Sequence, residues 1–322
     1  MSDLPRMIPV DRAKKKCPVC GKSNWCLICP TGKSAICQRV ESAKQCGSAG
    51  WLHRLDEPLP AFDPGPKEPV KRSDWYNQAA KYAAQITREQ KSDLCRSLGL
   101  PEDALNCLPL LGSFIGPDGK PVYTFPEQDG AGNTIGINRR FPDGAKKHMP
   151  GGGRGLTLPN GWDDDRDAGL FIVEGPTDTA AMVAACLPAI GRPSNTGGVA
   201  FLAEAIGRAI PQDREIIVVG ENDKKSDGQW PGMTGAIMVA GGLQAALNRP
   251  VSWSMAPTDY KDVREYLTSE QFAERPWMER GLDLFSVLIQ QKRPASYCPE
   301  GYSPVIEAMK KEIGFDEARW KY

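Results

Sequence analysis

Residues 170–187 read LFIVEGPTDTAAMVAACL, and this stretch decides the fold class. It opens with LFIVE, in which four apolar residues precede Glu174. A short continuous apolar run is typical of a strand that is buried on both faces of a parallel sheet. Gly175 and Pro176 follow, and proline in the first turn of a helix indicates that TAAMVAACL is helical. The stretch therefore predicts a strand that passes through a tight turn into a helix.

The same alternation of a short apolar run with a helical stretch recurs from residue 187 onward. LPAI, EIIVVG (215–220) and VSWSM (251–255) read as strands, and the stretches from Val199 to Ala209 and from Gly232 to Leu247 read as helices. Strands that alternate with helices predict an open parallel α/β sheet. In such sheets the functional groups lie at the carboxyl ends of the strands.

Acidic side chains follow three of the predicted strands. EGPTD supplies Glu174 and Asp178, and GENDKK supplies Glu221 and Asp223, which point the same way if the chain stays extended. DYKD, just before the helical VREYL, supplies Asp262. Each cluster alone is compatible with helix capping or a solvated loop. Together they predict a divalent-cation site, because like charges gathered at one edge need a cation and Mg²⁺ prefers carboxylate oxygens.

The segment before the predicted parallel sheet does not show this alternation of strands and helices. Residues 73–98 follow a helical pattern that breaks at Gly99-Leu100-Pro101, and a short helix is expected over 102–107. Residues 110–145 contain the turn signals PDGK, QDGAGN and PDGAKK between alternating runs, which predicts a small antiparallel sheet. The proline-rich residues 58–70 predict an extended linker, and the chain after residue 270 reads as helical.

The N-terminal stretch CPVCGKSNWCLICPTGKSAIC, residues 17–37, holds five of the ten cysteines. Such clustering favours a metal site over disulfides. The CPVCG segment is typical of a metal-binding turn that offers two thiolates. If Thr31-Gly32 is a two-residue hairpin turn, Cys26 and Cys37 lie opposite each other on one face.

The expected zinc ligands are therefore four cysteines of this stretch: Cys17, Cys20, Cys26 and Cys37. Cys46 is the reserve ligand and Cys29 the third choice, because Cys29 points to the other face of the hairpin.

Charge is unevenly spread along the 322 residues. The whole chain is neutral, but residues 1–54 hold ten Lys/Arg against three Asp/Glu, a net charge of +7. A small basic module favours an anionic partner, most often nucleic acid, although a solvated basic face is equally compatible with charge alone. No apolar run approaches the ~20 residues of a membrane helix, and the N-terminus lacks a signal-peptide core. A cytoplasmic protein with reduced thiols and no membrane partner is expected.

EGPTD, GENDKK and YKDVREYL together resemble the Toprim domain, the catalytic fold of bacterial and phage DNA primases, topoisomerases and some nucleases. The resemblance maps Glu174 and Asp178 onto the first acidic motif of that family, and Glu221 and Asp223 onto the second. Asp262 matches the third region more loosely. Glu221 stands where the family usually has aspartate, which lengthens the arm of that carboxylate.

The segment VYTFPEQDGAGNTIGINRRF, residues 122–141, is similar to the basic subdomain that precedes Toprim in primases, which also carry an N-terminal zinc ribbon. The resemblance covers residues 17–270 and implies a stand-alone primase, since no Walker A motif indicates a fused helicase. The expected fold class is α/β: a Toprim-type open parallel sheet with helices, preceded by a small mixed α+β basic subdomain and a zinc ribbon. The expected boundaries are 1–57 (zinc ribbon), 58–72 (linker), 73–160 (basic subdomain), 161–270 (Toprim) and 271–322 (helical tail).

The resemblance also implies an activity, the synthesis of short RNA primers on single-stranded DNA. Mg²⁺ or Mn²⁺ would be held by Glu174, Glu221 and Asp223, with Asp178 and Asp262 as further catalytic acids. The groups expected to hold nucleotide or nucleic-acid phosphates are Arg139, Arg140, Lys146, Lys224 and Lys261. The implied partners are single-stranded template DNA, NTPs and a separate replicative helicase.

Two alternatives stay open on the sequence. A Toprim nuclease would direct the same acids at a phosphodiester. A catalytically inactive, zinc-dependent DNA-binding replication or defence factor is kept open by Glu221, the departure from the family pattern.

Overall fold

A computed structural model of the chain describes residues 7–46, 49–56, 74–164 and 169–298. The chain divides into two compact units, Met1–Arg72 and Ser73–Tyr322, called here the N-terminal and the C-terminal unit. The expected linker over 58–72 and the last part of the expected helical tail lie outside the described residues.

The N-terminal unit contains a four-stranded antiparallel sheet in the order β1-β2-β3-β4. Leu27 pairs with Ile36, and the turn between these strands has Gly32 at φ +72°, which is the register expected from the sequence. The small core of this unit is built largely from cysteine, valine, isoleucine and alanine side chains. Its strands are β1 (Ile8–Pro9), β2 (Leu27–Ile28), β3 (Ser34–Cys37) and β4 (Trp51–Arg54).

The C-terminal unit begins with two helices where the sequence indicates one helical stretch. The first helix, α1, spans Trp75–Ala83. A second helix, α2 (Arg88–Ser97), begins with a capping box. The Thr87 hydroxyl accepts from the Gln90 amide, and the Gln90 side chain accepts from the Thr87 amide. This reciprocal pair satisfies free amides at the start of α2, so a new helix begins there although the apolar pattern continues.

A 3₁₀ helix, Ala104–Cys107, leads into an antiparallel sheet of order β5-β6-β7-β8. Its register places Thr124 opposite Arg139 and Asn138 opposite His148. The small antiparallel sheet expected over 110–145 is present. Its strands are β5 (Gly112–Ile115), β6 (Pro121–Gln128), β7 (Thr134–Arg140) and β8 (Lys146–His148).

The rest of the C-terminal unit is a five-stranded sheet of order β10-β9-β11-β12-β13 with helices on both faces. Every neighbouring pair of strands is parallel except β12 with β13. The strands are β9 (Leu170–Glu174), β10 (Ala189–Arg192), β11 (Ile216–Gly220), β12 (Ser252–Met255) and β13 (Arg293–Pro294). The helices are α3 (Gly175–Ala184), α4 (Val199–Ala209), α5 (Pro231–Leu247), α6 (Val263–Leu267) and α7 (Trp277–Gln291), and a 3₁₀ helix spans Glu270–Phe272.

The strand β9 separates two hydrophobic cores. Its first four residues are at most 1% exposed. Phe171 and Val173 enter the core that contains residues of α2, α3 and α7, whereas Leu170 and Ile172 enter the core that contains residues of α4 and α5. Successive strand residues point to opposite faces, so an uninterrupted apolar run is required where both faces are covered.

The expected fold class is confirmed. An open, mostly parallel sheet with helices follows a small mixed α+β segment, and a separate β module carries the cysteine cluster. The carboxyl ends of the parallel strands β9, β10, β11 and β12 lie at one edge of the sheet, which is where the acidic side chains emerge. Within the described ranges, every helix is too short or too polar to cross a bilayer.

Candidate metal centre and active site

The N-terminal unit gathers four sulfur atoms in one place. The Sγ atoms of Cys17, Cys20, Cys26 and Cys37 all lie within 4.8 Å of one another. Sγ of Cys26 is 3.7 Å from that of Cys20 and 3.9 Å from that of Cys37. The hairpin register explains this closeness, because Cys26 and Cys37 flank the paired residues on the same face. We call these four residues the cysteine cluster.

The two other cysteines considered as ligands do not belong to the cysteine cluster. Cys29 is buried, but its Sγ lies 2.9 Å from Oγ1 of Thr31, with which it shares a hydrogen bond. Cys46 is half-buried, and its backbone amide donates to the carbonyl of Gly50 at 2.7 Å.

The thiols of the cysteine cluster differ in how readily they lose a proton, because burial raises the pKa of Cys17 and Cys26 whereas the pKa of Cys20 is lowered. Burial raises the pKa of Cys17 to about 12. Burial also acts to raise the pKa of Cys20, but hydrogen bonds from the Lys22 amide and the neighbouring thiols lower it to about 6. The amide of Arg39 donates to Sγ of Cys37 at 3.4 Å. Four converging sulfurs with amide donors around them match the donor set of a structural Zn²⁺ site, so this cluster can bind zinc.

Three carboxylates converge at the carboxyl edge of the five-stranded sheet. Asp178 lies in the first turn of α3, Glu221 directly follows β11, and Asp262 is the N-cap of α6. One oxygen from each lies within 4.8 Å of those of the other two. We call these three residues the acidic triad. Three strand-to-helix connections of one sheet therefore meet here, as the position of the acids in the sequence predicts.

Burial makes negative charge on the acidic triad costly. Asp178 and Asp262 are each 5% exposed. Burial raises the pKa of Asp178 well above its ordinary value, and the charges of Asp262 and Glu221 raise it further. Burial also raises the pKa of Glu221, with a further contribution from Glu174. The triad therefore requires protons or a cation, and carboxylate oxygens are a donor set that can bind a divalent metal.

Two cationic side chains already border the acidic triad. Nζ of Lys261 lies 3.4 Å from Oε2 of Glu221, and Nε of Arg264 lies 3.7 Å from Oδ1 of Asp178. The same two side chains approach Oδ2 of Asp262 at 3.9 and 3.8 Å. These two positive charges offset part of the negative charge of the acidic triad, and Glu174 adds a further negative charge that acts on Glu221.

The acidic triad differs from the metal ligands expected from the sequence. Asp223 is outside it, and its Oδ1 accepts from the Gly232 amide at 2.7 Å in the first turn of α5. The chain leaves the extended conformation after Gly220, so the alternation that would align Asp223 with Glu221 no longer applies. Glu174 is also outside the triad, but it borders the same cleft and its charge acts on Glu221.

A cleft of about 350 Å³ opens beside the acidic triad. It is lined both by residues of the four-stranded sheet and by residues at the carboxyl edge of the five-stranded sheet. Four of the five basic side chains expected to bind phosphate line it: Arg139, Arg140, Lys146 and Lys261. The fifth, Lys224, does not line the cleft, and its Nζ lies 5.4 Å from the centre of the Trp230 ring.

The cleft also contains an arginine that the sequence analysis missed. Nε of Arg154 donates to both carboxylate oxygens of Glu127 at 2.9 Å, and the Gly155 amide donates to Oε2 of Glu127 at 2.7 Å. Burial raises the pKa of Glu127, although Arg154 opposes the shift. The buried carboxylate orients the arginine toward the cleft. This arginine is visible in the stretch GGGRGL, but its carboxylate partner, Glu127, lies 27 residues away in the sequence. A local sequence pattern does not relate residues that far apart.

A second missed residue is Arg192, the last residue of β10. It pairs in register with Glu174 and is completely buried. Its Nη2 donates to the Val219 carbonyl at 3.1 Å, and its Nε has no hydrogen-bond partner among the described residues. Burial lowers the pKa of Arg192, and the charges of Glu174 and Glu221 oppose that shift. The sequence signal that could have indicated Arg192 was a single arginine at the end of the apolar run LPAIG.

We expect the thermal stability of the protein to fall as pH rises when no divalent metal is added. The pKa values of Asp178 and Glu221 are raised in the folded chain, so the folded state holds these protons more tightly than the unfolded state. Their stabilising contribution is complete below the ordinary carboxyl pKa of about 4 and is lost as the pH rises through the raised folded values. Tm is to be measured between about pH 5 and 8 for wild type and Asp178→Asn.

The Asp178→Asn amide does not titrate, so the Tm of this variant is expected to fall less steeply with pH. Added Mg²⁺ is expected to flatten the wild-type curve, because a cation replaces the protons. Identical slopes for the two proteins would show that the acidic triad does not govern this pH dependence.

Comparison with known proteins gives structural neighbours only. No protein-family model matches the sequence, and no curated protein matches it either. A DNA primase domain from Pseudomonas aeruginosa is 15% identical with a TM-score of 0.46, over 76% of this chain and 84% of that one. The RNA polymerase domain of the Mycobacterium tuberculosis primase DnaG, solved with a double-stranded DNA oligomer carrying an overhang, is 16% identical with a TM-score of 0.43, over 76% and 91%. The primase fragment of the bacteriophage T7 primase-helicase protein is 16% identical with a TM-score of 0.38, over 85% and 99%.

Proposed function

We propose that this protein is a DNA primase that joins nucleotides into short RNA primers on single-stranded DNA. The observation that carries the proposal is one cleft in which a buried acidic triad faces a row of basic side chains. Carboxylates that hold divalent cations, opposite arginines and lysines that hold phosphates, are the two parts that phosphoryl-transfer sites share.

The acidic triad is the proposed site of Mg²⁺ or Mn²⁺. Its fit rests on the three converging carboxyl groups of the triad, two of them buried, whose charge is only partly offset by Lys261 and Arg264. Bound by these carboxylates, the ion would supply positive charge that offsets the negative charge on the phosphate of an incoming nucleotide. Glu174, beside the triad, is placed to add a further ligand or to accept a proton from an attacking hydroxyl.

The basic wall of the cleft is the proposed nucleotide site. Arg139 is anchored from the neighbouring strand, because its Nη2 donates to the His148 carbonyl at 3.3 Å. Arg140 is half-buried, and burial together with the charge of Arg264 lowers its pKa. Arg154 is held by Glu127. Arginines fixed in this way bind phosphate oxygens with little further loss of freedom, since the guanidinium is already oriented.

The dimensions of the cleft agree with a nucleotide as its occupant. Its volume of about 350 Å³ falls within the range of roughly 300–1,000 Å³ that is typical of small-molecule sites. Polar and charged side chains predominate along it, as expected for a triphosphate rather than an apolar ligand.

The N-terminal unit is the proposed template-binding module. Its described residues carry nine Lys/Arg against three Asp/Glu, and the cysteine cluster, with Zn²⁺ bound, would fix their arrangement. Single-stranded template DNA and NTPs are the proposed partners of the chain. A separate replicative helicase is proposed as a further partner on the resemblance described above.

A primer-synthesis assay tests the proposed function. The full chain is incubated with circular single-stranded DNA, labelled NTPs and Mg²⁺, and the products are resolved by length. Primase activity yields short labelled RNA that requires template and metal. Shortening of the template without RNA would instead assign a nuclease, and neither product would assign a DNA-binding protein without this chemistry.

A further inference from the structure

Trp25 holds an unusual position in the N-terminal unit. Its side chain is 72% exposed, the highest value among the exposed large apolar residues of the described ranges. Its backbone has φ +68°, in the left-handed region that bulky residues rarely adopt. The residue lies in the loop that joins Cys20 to Cys26 of the cysteine cluster. A tryptophan whose role is to pack in a core would be buried, so core packing does not explain an exposed side chain on a strained backbone.

The loop that carries Trp25 is held rigidly from one side. Nη1 and Nη2 of Arg39 donate to the backbone carbonyl and to Oδ1 of the preceding residue, Asn24, at 3.0 and 2.9 Å. Nη1 of Arg39 also lies 3.5 Å from Sγ of Cys26. The guanidinium therefore ties the base of the loop to the sulfurs. The backbone that carries Trp25 is therefore held in place next to Asn24, which lowers the entropy that ordering the loop would cost on binding.

The charge around Trp25 selects the class of ligand. Two exposed basic residues lie near Trp25. Lys22 belongs to the same loop, and Arg39 contacts the neighbouring Asn24. The described part of the N-terminal unit carries a net charge of +6. An exposed aromatic face in a positively charged surface matches a nucleic acid whose bases are free to stack, because the phosphates meet the cations and the indole meets a base.

We infer that the Trp25 indole stacks on an unpaired base of single-stranded nucleic acid, and that Arg39 holds it in the stacking position. The inference rests on the proposed function, since it assigns one contact of the template-binding module. The cost of the left-handed backbone at Trp25 is then offset when a base covers the ring. In duplex DNA the bases are stacked on each other, so the contact requires a single strand.

The test uses the full, zinc-loaded chain and fluorescently labelled oligo(dT), with Kd measured by anisotropy for wild type, Trp25→Gly and Trp25→Phe. Glycine adopts φ +68° without strain, so Trp25→Gly removes the ring without adding strain to the backbone. We expect Kd to rise roughly tenfold or more in Trp25→Gly and to return close to wild type in Trp25→Phe. The affinity for a blunt duplex of the same length is expected to change by less than about twofold.

Tyr76→Ala is the matched control, because Tyr76 is also an exposed aromatic residue, at 59%, but lies on α1 of the C-terminal unit. Zinc content by mass spectrometry and Tm are expected to be the same in Trp25→Gly and wild type. Unchanged oligo(dT) affinity in Trp25→Gly, alongside binding by wild type, would overturn the inference and leave the proposed function standing. If Trp25→Gly reduced primer synthesis without changing Kd, the indole would contact protein instead and the inference would equally fail. Absence of oligo(dT) binding by wild type would overturn the template-binding role itself.

Discussion

Replacement of Glu221 by Gln is expected to lower the rate of primer synthesis by about 100-fold or more, with little change in DNA affinity. The substitution keeps the size and hydrogen-bonding shape of the side chain but removes one of the three charges of the acidic triad. Glu221 is the member best suited to this test, because its side chain does not cap a helix, whereas Oδ1 of Asp262 accepts from the Glu265 amide at 2.8 Å. The measurement is primer synthesis at saturating NTP, with oligo(dT) affinity in parallel.

Metal binding gives a second readout that does not depend on activity. In Glu221→Gln, Lys261 loses its closest carboxylate partner, and its charge then opposes a metal ion instead of pairing with Glu221. Mn²⁺ affinity, measured by electron paramagnetic resonance, is therefore expected to fall by about tenfold or more. A variant that kept wild-type Mn²⁺ affinity and wild-type synthesis would refute the assignment of the acidic triad.

Two comparison variants sharpen this test. Glu274→Gln removes an exposed carboxylate outside the cleft and is expected to behave as wild type. Asp223→Asn retains an oxygen that can accept from the Gly232 amide in the first turn of α5, so its effect on synthesis is expected to be smaller than that of Glu221→Gln. If Asp223→Asn had the larger effect, the ligand set expected from the sequence would be preferred over the acidic triad.

The sheet could be predicted from the sequence because its signals are local. Each of Leu170, Phe171, Ile172 and Val173 is apolar since both faces of β9 are covered, and such a run has few other interpretations. The pairing of Cys26 with Cys37 was predictable for a similar reason. The turn differs from the expected two-residue Thr31-Gly32 turn, because the Gly32 amide donates to the Cys29 carbonyl at 2.9 Å and Pro30 and Thr31 lie at its centre. The register is nevertheless the expected one, and register fixes which side chains share a face.

The site could be predicted only in part because its geometry depends on loops. The positions of Glu221 and Asp223, two apart in sequence, indicate one shared direction, yet the chain turns after β11 and sends Asp223 to the start of α5. Asp178 was expected at this edge of the sheet as a further catalytic acid, and only the close approach of α6 to α3 shows that its carboxylate directly meets that of Asp262. Contacts between elements distant in sequence decide these roles.

Replacement of Cys26 by Ser is expected to abolish the binding of one equivalent of zinc and to unfold the N-terminal unit. Cys26 is completely buried, and its Sγ lies within 4 Å of both Cys20 and Cys37 at the centre of the cysteine cluster. Three of the six buried residues in the small core of this module are cysteines of the cluster. The binding free energy of a structural zinc ion, about 10–16 kcal/mol in zinc-finger peptides, would therefore be a large part of its folding energy. Zinc content is measured by mass spectrometry, and oligo(dT) affinity is expected to fall together with it.

Cys29→Ser is the matched control for Cys26→Ser, because both residues are buried cysteines that directly flank β2, one on each side, and their side chains point to opposite faces. The serine hydroxyl can keep the hydrogen bond to Oγ1 of Thr31, so Cys29→Ser is expected to retain zinc and DNA affinity. Cys46→Ser is likewise expected to retain the metal, since Cys46 lies outside the cysteine cluster. Loss of zinc from Cys29→Ser with retention in Cys26→Ser would mean that the opposite face of the hairpin binds the ion. The hairpin register would then be wrong by one residue, because a shift of one position exchanges the two faces of a strand.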